Sequence, residues 1–204
     1  MNDKKDTQQR FDYPQDDDNG KEMLLKMNAN HKHISDFFFE NVNILPTDIC
    51  LDIGCGGGYN AGELAKRAFL VHAIDISKKA CEVTRFYNTT AYRSQKLLIS
   101  NTSIEDIEFP NEYFSVITAF STIYFWDDLD NDLKKIYNFL KKDGAFYIMI
   151  ATNKDHWQDQ WKHVNNFKVM DEYELLAKLR AVGFNQLNIK YQPNTMRLMI
   201  RGVK

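Results

Sequence analysis

Beyond Pro46 the chain alternates between short runs of consecutive apolar residues and longer stretches in which apolar residues return every three or four positions. The runs DICLDI (48–53), LVHAID (70–75), KLLISN (96–101), YFSVITAF (113–120) and AFYIMIA (145–151) are too short for typical helices. Such runs suit strands buried on both faces. Between them, NAGELAKRA (60–68) reads as a helix, and SKKACEVTRFYN (77–88) as another with Ser77 as its N-cap. The stretch 128–144 places Leu129, Leu133, Ile136, Tyr137 and Leu140 on one helical face before stopping at Gly144. After a helix over 170–184, closed near Gly183, NQLNIKY and TMRLMIRGV flank the turn Gln192-Pro193-Asn194 and predict an antiparallel pair. Strands alternating with helices call for an α/β fold: a doubly wound, mostly parallel seven-stranded sheet with an antiparallel C-terminal hairpin and helices on both faces.

The N-terminal side has a different texture. Residues 21–42 carry Met23, Leu24, Met27, Ile34, Phe37, Phe38 and Val42 at mixed spacings of three and four, which predicts two short helices meeting near Asn28 to His31. The first twenty residues are polar, contain Asp16-Asp17-Asp18, and are expected to form a mobile arm. The expected division is that arm (1–20) followed by one domain (21–204), made of a helical lid (21–45), a cofactor-binding half (46–152) and a C-terminal substrate-side half (153–204).

Composition narrows the class. With 204 residues, 44% hydrophobic and 26% charged, the chain has the usage of a globular domain and no stretch long enough for a membrane span. The first twenty residues lack the apolar segment of a secretory signal, so a cytoplasmic location is expected. Cys50, Cys55 and Cys81 form no C-x-x-C pair, which fits a reducing compartment and gives no basis for a structural zinc site. Lys and Arg number 26 against 28 acids, a net charge of −2 that offers no general attraction to nucleic acid or to an anionic membrane.

The chemistry concentrates in LDIGCGGGYN (51–60), four glycines directly behind the first strand. Glycine-rich turns between a strand and a helix let a nucleotide-like ligand approach the backbone. A P-loop is excluded because no Lys-Ser or Lys-Thr pair follows the glycines. A dinucleotide fingerprint counted from Gly54 would need glycine at position 59, where Tyr59 stands. The actual spacing is Asp52-x-Gly54-x-Gly56-x-Gly58, with Asp75 at the end of the second strand, seventeen residues past Gly58. An acid there can accept hydrogen bonds from both ribose hydroxyls.

In these residues the chain resembles the class I S-adenosylmethionine-dependent methyltransferases, from about Ile49 to Gly183. The resemblance implies S-adenosylmethionine as cofactor and S-adenosylhomocysteine as product. It implies that Asp52 helps bind the amino end, that Ile76 lies against the adenine, and that Ser103 and the backbone N–H of Ile104 meet the adenine edge. A carbonyl near Ala119 would complete the cofactor set. Ser103 stands where many relatives carry an acid, Ser115 replaces an aspartate, and Asp143 and Ala145 replace a proline and a glycine.

Methyl transfer from a sulfonium is an in-line displacement that needs donor and acceptor near contact distance, about 3 Å, and water kept away. A general base is optional. His31, between the expected lid helices, and Tyr124, past the fourth strand, are the candidates for it. His33, His156 and His163 are weaker, and Trp157 and Trp161 are candidates for the substrate mouth. AFSTIYFW (119–126) lacks the prolines of methylases that act on base amines, so a small organic acceptor is expected, bound by a monomer or homodimer. Two other readings stay open: an inactive S-adenosylmethionine-binding or protein-interaction module, and an NAD(P)-dependent dehydrogenase, which Tyr59 and the missing Tyr-x-x-x-Lys pair disfavour.

Overall fold

A computed structural model describes residues 18–204. The expected mobile arm lies outside the described residues up to position 17, and Asp18–Gly20 already belong to the first helix. Among the described residues, six helices and seven strands follow in order: α1 Asp18–Asn41, β1 Ile49–Ile53, α2 Tyr59–Ala65, β2 Leu70–Asp75, α3 Lys78–Tyr87, α4 Thr89–Arg93, β3 Leu97–Asn101, β4 Phe114–Phe120, α5 Leu129–Phe139, β5 Leu140–Ala151, α6 Glu172–Val182, β6 Asn185–Tyr191 and β7 Arg197–Val203. Short 3-10 segments follow β4 and β5, at Ile123–Phe125 and Lys154–Trp161.

The sheet runs β3-β2-β1-β4-β5-β7-β6. The first five strands are mutually parallel, and β7 is antiparallel to both β5 and β6. The C-terminal hairpin therefore inserts its second strand, not its first, beside β5. Alternate side chains feed two cores. Leu51, Ile53, Ile117, Phe146 and Ile148 pack with Leu133, Ile136, Leu175 and Leu179 of α5 and α6. Cys50, Val71, Ala73, Tyr147 and Met149 pack with Phe38 and Leu64 of α1 and α2. Ile53 pairs with Ile74 and with Ala119, so the chain leaves β1, β2 and β4 at one common carboxyl edge. Open parallel sheets bind ligands at that edge.

Two expected boundaries shift. The N-terminal region is one continuous helix rather than two short ones. Its buried stripe does not stop at Asn28–His31 but turns polar, because Asn28 bonds to the loop behind β1 and Ser35 to Asn60 in the first turn of α2 instead of filling a core. Helix α5 ends at Phe139, not at Gly144, since Leu140 is extended (φ −70°, ψ 139°) and pairs with Phe114. Residues 141–144 bulge out before pairing resumes at Val116 and Ala145. Strand pairing overrides the helical period at Leu140. The Ser77 cap of α3 is present, its hydroxyl accepting from the Ala80 N–H at 3.1 Å.

Candidate active site

The loop after β1 is pinned from below by β2. Gly54 N–H and Cys55 N–H both donate to the Ile74 carbonyl, at 2.8 and 3.0 Å. Asp75 accepts from Gly56 N–H (2.9 Å) on one oxygen and from Ser77 N–H (2.8 Å) on the other. Burial pushes its pKa up, against the pull of those two backbone donors. The glycines have distinct jobs. Gly54 (φ +72°) allows no side chain, because a Cβ would stand 2.4 Å from Thr122 Oγ1. Gly56 (φ +52°) faces open space, with nothing within 4 Å of where its Cβ would be. Gly58 sits at the N-cap of α2 against Thr84 and Asn88 of the following helical turns, so it serves packing between α2 and α3. Gly57, which sequence spacing did not single out, lies under α1, where Asn28 Nδ2 donates to its carbonyl at 2.8 Å.

Asp52 is enclosed rather than presented. It is 1% exposed, and one oxygen accepts from Thr118 Oγ1 at 2.9 Å. Among the described residues the other oxygen has no partner. Burial, with the charge of Asp75 adding to it, pushes the pKa of Asp52 up to about 7.

A cavity of about 290 Å³ opens above this edge. Gly54, Gly56, Asp75, Ile76, Ser103 and Ile104 line one wall. Ile76 is 46% exposed, whereas Ile104 is buried. Ser103 caps a turn, its hydroxyl donating to Asp106 Oδ2 (2.9 Å) and accepting from the Asp106 N–H (3.1 Å). Asp52, Gly58 and Ala119 stand behind that wall and do not line it, although Phe120 and Ser121, directly after Ala119, do. Ser121 holds a left-handed backbone (φ +54°), an uncommon state for a non-glycine residue and one that clusters at functional sites.

The opposite wall comes from α1, from residues 122–126 and from the segment before α6. Tyr124 is 4% exposed. Its phenol oxygen accepts from the Ala151 N–H at 2.6 Å, and burial pushes its pKa up to about 12. The phenol therefore stays protonated at neutral pH and cannot take a proton there. His31 lines the cavity from α1, and its pKa is lowered to about 4, first by burial and then by the charges of Arg197 and His33. It is a neutral imidazole at physiological pH, able to accept a hydrogen bond but a weak base. His33 is exposed, with Nδ1 on the Asn30 carbonyl, and His156 and His163 are also exposed. Trp161 lines the cavity, and Trp157 packs on it edge-on at 4.6 Å. Gln158 fixes this segment from within. Fully buried, it donates to the Ala151 and Met170 carbonyls and accepts from the Met170 N–H, each at 2.8 Å. Sequence reasoning missed Arg197, which reaches the cavity from the first position of β7. No local signal set it apart, since β7 carries a second arginine, Arg201.

Residues 51–148 match the family model described as a methyltransferase domain, a span running from within β1, across the glycine loop, into β5. A curated relative, the uncharacterized methyltransferase YdaC of Bacillus subtilis, is 22% identical over 169 residues, 81% of this chain and 87% of that protein. Among solved structures, the complex between the Haloferax volcanii Trm112 methyltransferase activator and a methyltransferase contains a chain with a TM-score of 0.77, 17% identity, and coverage of 89% and 93%. An S-adenosylmethionine-dependent methyltransferase of Methanococcus maripaludis gives 0.71, 21% identity, and coverage of 92% and 93%. At such identities the structural likenesses carry the fold. The chain thus carries a methyltransferase-domain match over the glycine loop and the fold of the S-adenosylmethionine-dependent methyltransferases, which points to S-adenosylmethionine as its cofactor. Among the described residues, no helix is long and apolar enough to cross a membrane.

Proposed function

We propose that this chain transfers the methyl group of S-adenosylmethionine to a small organic acceptor by in-line displacement. The observation that carries the reading is one shared cavity: Gly54, Gly56 and Asp75 form its first wall, and Tyr124, Phe125, Trp161 and Phe167 its second. The residues fit the cofactor because the backbone is bare at Gly56, bonded to the neighbouring carboxylate of Asp75. When bound, the cofactor supplies an electrophilic methyl group on a sulfonium sulfur. Asp75 would take the ribose hydroxyls, since each of its oxygens accepts one backbone N–H and retains a second lone pair. Ile76 would lie against the adenine, with Ser103 and Ile104 at its edge. Phe120 and Ser121 would bound the amino-acid end, with Ala119 and Asp52 behind them.

The helix α1 acts in this reading as the lid, held by Asn28 on Gly57 and contributing Met27 and His31 to the cavity. Neutral His31 would accept a hydrogen bond from the acceptor and orient its lone pair. The aromatic second wall excludes water from the displacement.

Titration calorimetry should give a saturable signal with S-adenosylmethionine and S-adenosylhomocysteine and none with NADH or NADPH. Asp75→Ala should weaken either binding by about 1–3 kcal/mol, the scale of a lost charge-assisted acceptor. Incubation with labelled S-adenosylmethionine and a metabolite extract should yield a methylated small molecule. Binding without any product would leave the inactive-module reading in its place.

A further inference from the structure

Because β7 runs against the parallel strands, its first residue, Arg197, pairs with Ala151 at the same carboxyl edge as the glycine loop. The guanidinium lies 5.7 Å from the ring centre of Trp157 and 5.9 Å from that of Trp161. Among the described residues no carboxylate stands within ion-pair distance of it. The acids around the cavity are engaged elsewhere. Asp75 holds Gly56 and Ser77, and Glu105 accepts from the Asp127 N–H. Glu172, close enough to Tyr124 to raise its pKa, accepts from Thr152, the Asn153 N–H and Tyr191. The neighbours Tyr124 and His31 are both uncharged at neutral pH.

Arg197 is half-buried, and a guanidinium partly drawn out of water without a counter-ion is costly. Two indole faces attract the cation, and among the described residues no hydrogen bond fills its planar fork of N–H donors. That fork matches a carboxylate in two parallel hydrogen bonds. The rest of this end of the cavity is flat and apolar, formed by Trp161, Val164, Phe125 and Phe167. The cavity is thus divided by charge, with carboxylates toward the glycine loop and a cation toward the aromatic wall.

We infer that Arg197 anchors the methyl acceptor by an anionic group, and that the acceptor is a compact aromatic carboxylate. This rests on the methyltransferase reading above. The carboxylate grips the guanidinium while the ring lies against the Trp161–Phe167 wall, which turns a substituent on the ring toward the cofactor side.

The test compares wild type, Arg197→Met and Arg197→Lys, each first loaded with S-adenosylhomocysteine and then titrated with matched acids and amides: 4-hydroxybenzoate and 4-hydroxybenzamide, salicylate and salicylamide, indole-3-acetate and indole-3-acetamide. In the wild type at least one acid should bind tenfold or more tighter than its amide. Arg197→Met should abolish that gap and Arg197→Lys should keep part of it, with S-adenosylhomocysteine affinity unchanged within twofold. The inference is overturned if no pair is discriminated by the wild type, or if the gap survives in Arg197→Met. It is equally overturned if Arg197→Met loses S-adenosylhomocysteine affinity tenfold, because Arg197 would then serve the cofactor's own carboxylate. A wild type that binds no S-adenosylhomocysteine would sink the underlying methyltransferase reading, a failure visible before any acid is added. Should Arg197→Met not fold, the wild-type gap and its reduction in Arg197→Lys decide the matter.

Discussion

The two walls of the cavity are built by opposite means. The wall around Gly54, Gly56 and Asp75 is made of main chain, held by backbone N–H groups on the Ile74 carbonyl and on one carboxylate. The facing wall is made, apart from α1, of large side chains on irregular segments, and the segment before α6 is kept in place by one buried amide, Gln158, that bridges Ala151 and Met170. A main-chain wall suits an invariant cofactor, because it offers few side chains to substitute. A side-chain wall can be re-cut for a different acceptor without disturbing the strand ends beneath it.

The largest effect should fall on the second wall. Gln158→Ala removes three buried hydrogen bonds and leaves their partners unpaired, a loss of about 4 kcal/mol in denaturant unfolding. S-Adenosylhomocysteine affinity measured below the transition should stay within threefold of wild type. An equal loss of affinity would show that the two walls are not separable.

On the first wall, Asp52 should make stability depend on pH. Its folded pKa of about 7 exceeds the ordinary value of about 3.9. Between those values the folded chain holds a proton that the unfolded chain has released, so stability falls as pH rises from about 4 to 7. Asp52→Asn should flatten that slope and be more stable than wild type at pH 8 by about 3 kcal/mol. Asp132, which burial and Glu105 also raise to about 7, titrates in both proteins and cancels in the comparison. Parallel curves for the two proteins would refute an ionising Asp52.

Smaller effects should divide the glycines. Gly54→Ala forces a Cβ onto Thr122 from a left-handed backbone and should cost about 2 kcal/mol in stability. Gly56→Ala meets no neighbour, so only the backbone penalty of about 1 kcal/mol applies, while cofactor affinity falls by more than stability does. If Gly56→Ala bound S-adenosylhomocysteine normally, the bare loop would not be where the ligand lies.

The same contrast explains what could be read from the chain alone. The parallel strands were legible because each is a run of apolar residues, and the Ser77 cap and the closure at Gly183 are local signals. The glycine loop and Asp75 were legible because a main-chain site leaves its mark in consecutive residues. Helix α1 is continuous where two helices were expected because Asn28 and Ser35, polar in sequence, occupy the stripe that faces the loop and the first turn of α2. The end of α5 was misjudged because Leu140 fits both the helical period and the strand that it joins. Nothing local marks Gln158 or Arg197. Their roles depend on Ala151, Met170 and two tryptophans that only the fold brings near.

The reversed strand β7 also works as a ruler. Sliding it by two residues against β5 would keep every side chain on its own face of the sheet, yet would carry the guanidinium roughly 7 Å along the edge. On the proposal that Arg197 anchors the acceptor, such a slip would exchange one acceptor length for another while the strand ends around Gly54 and Asp75 stayed in place.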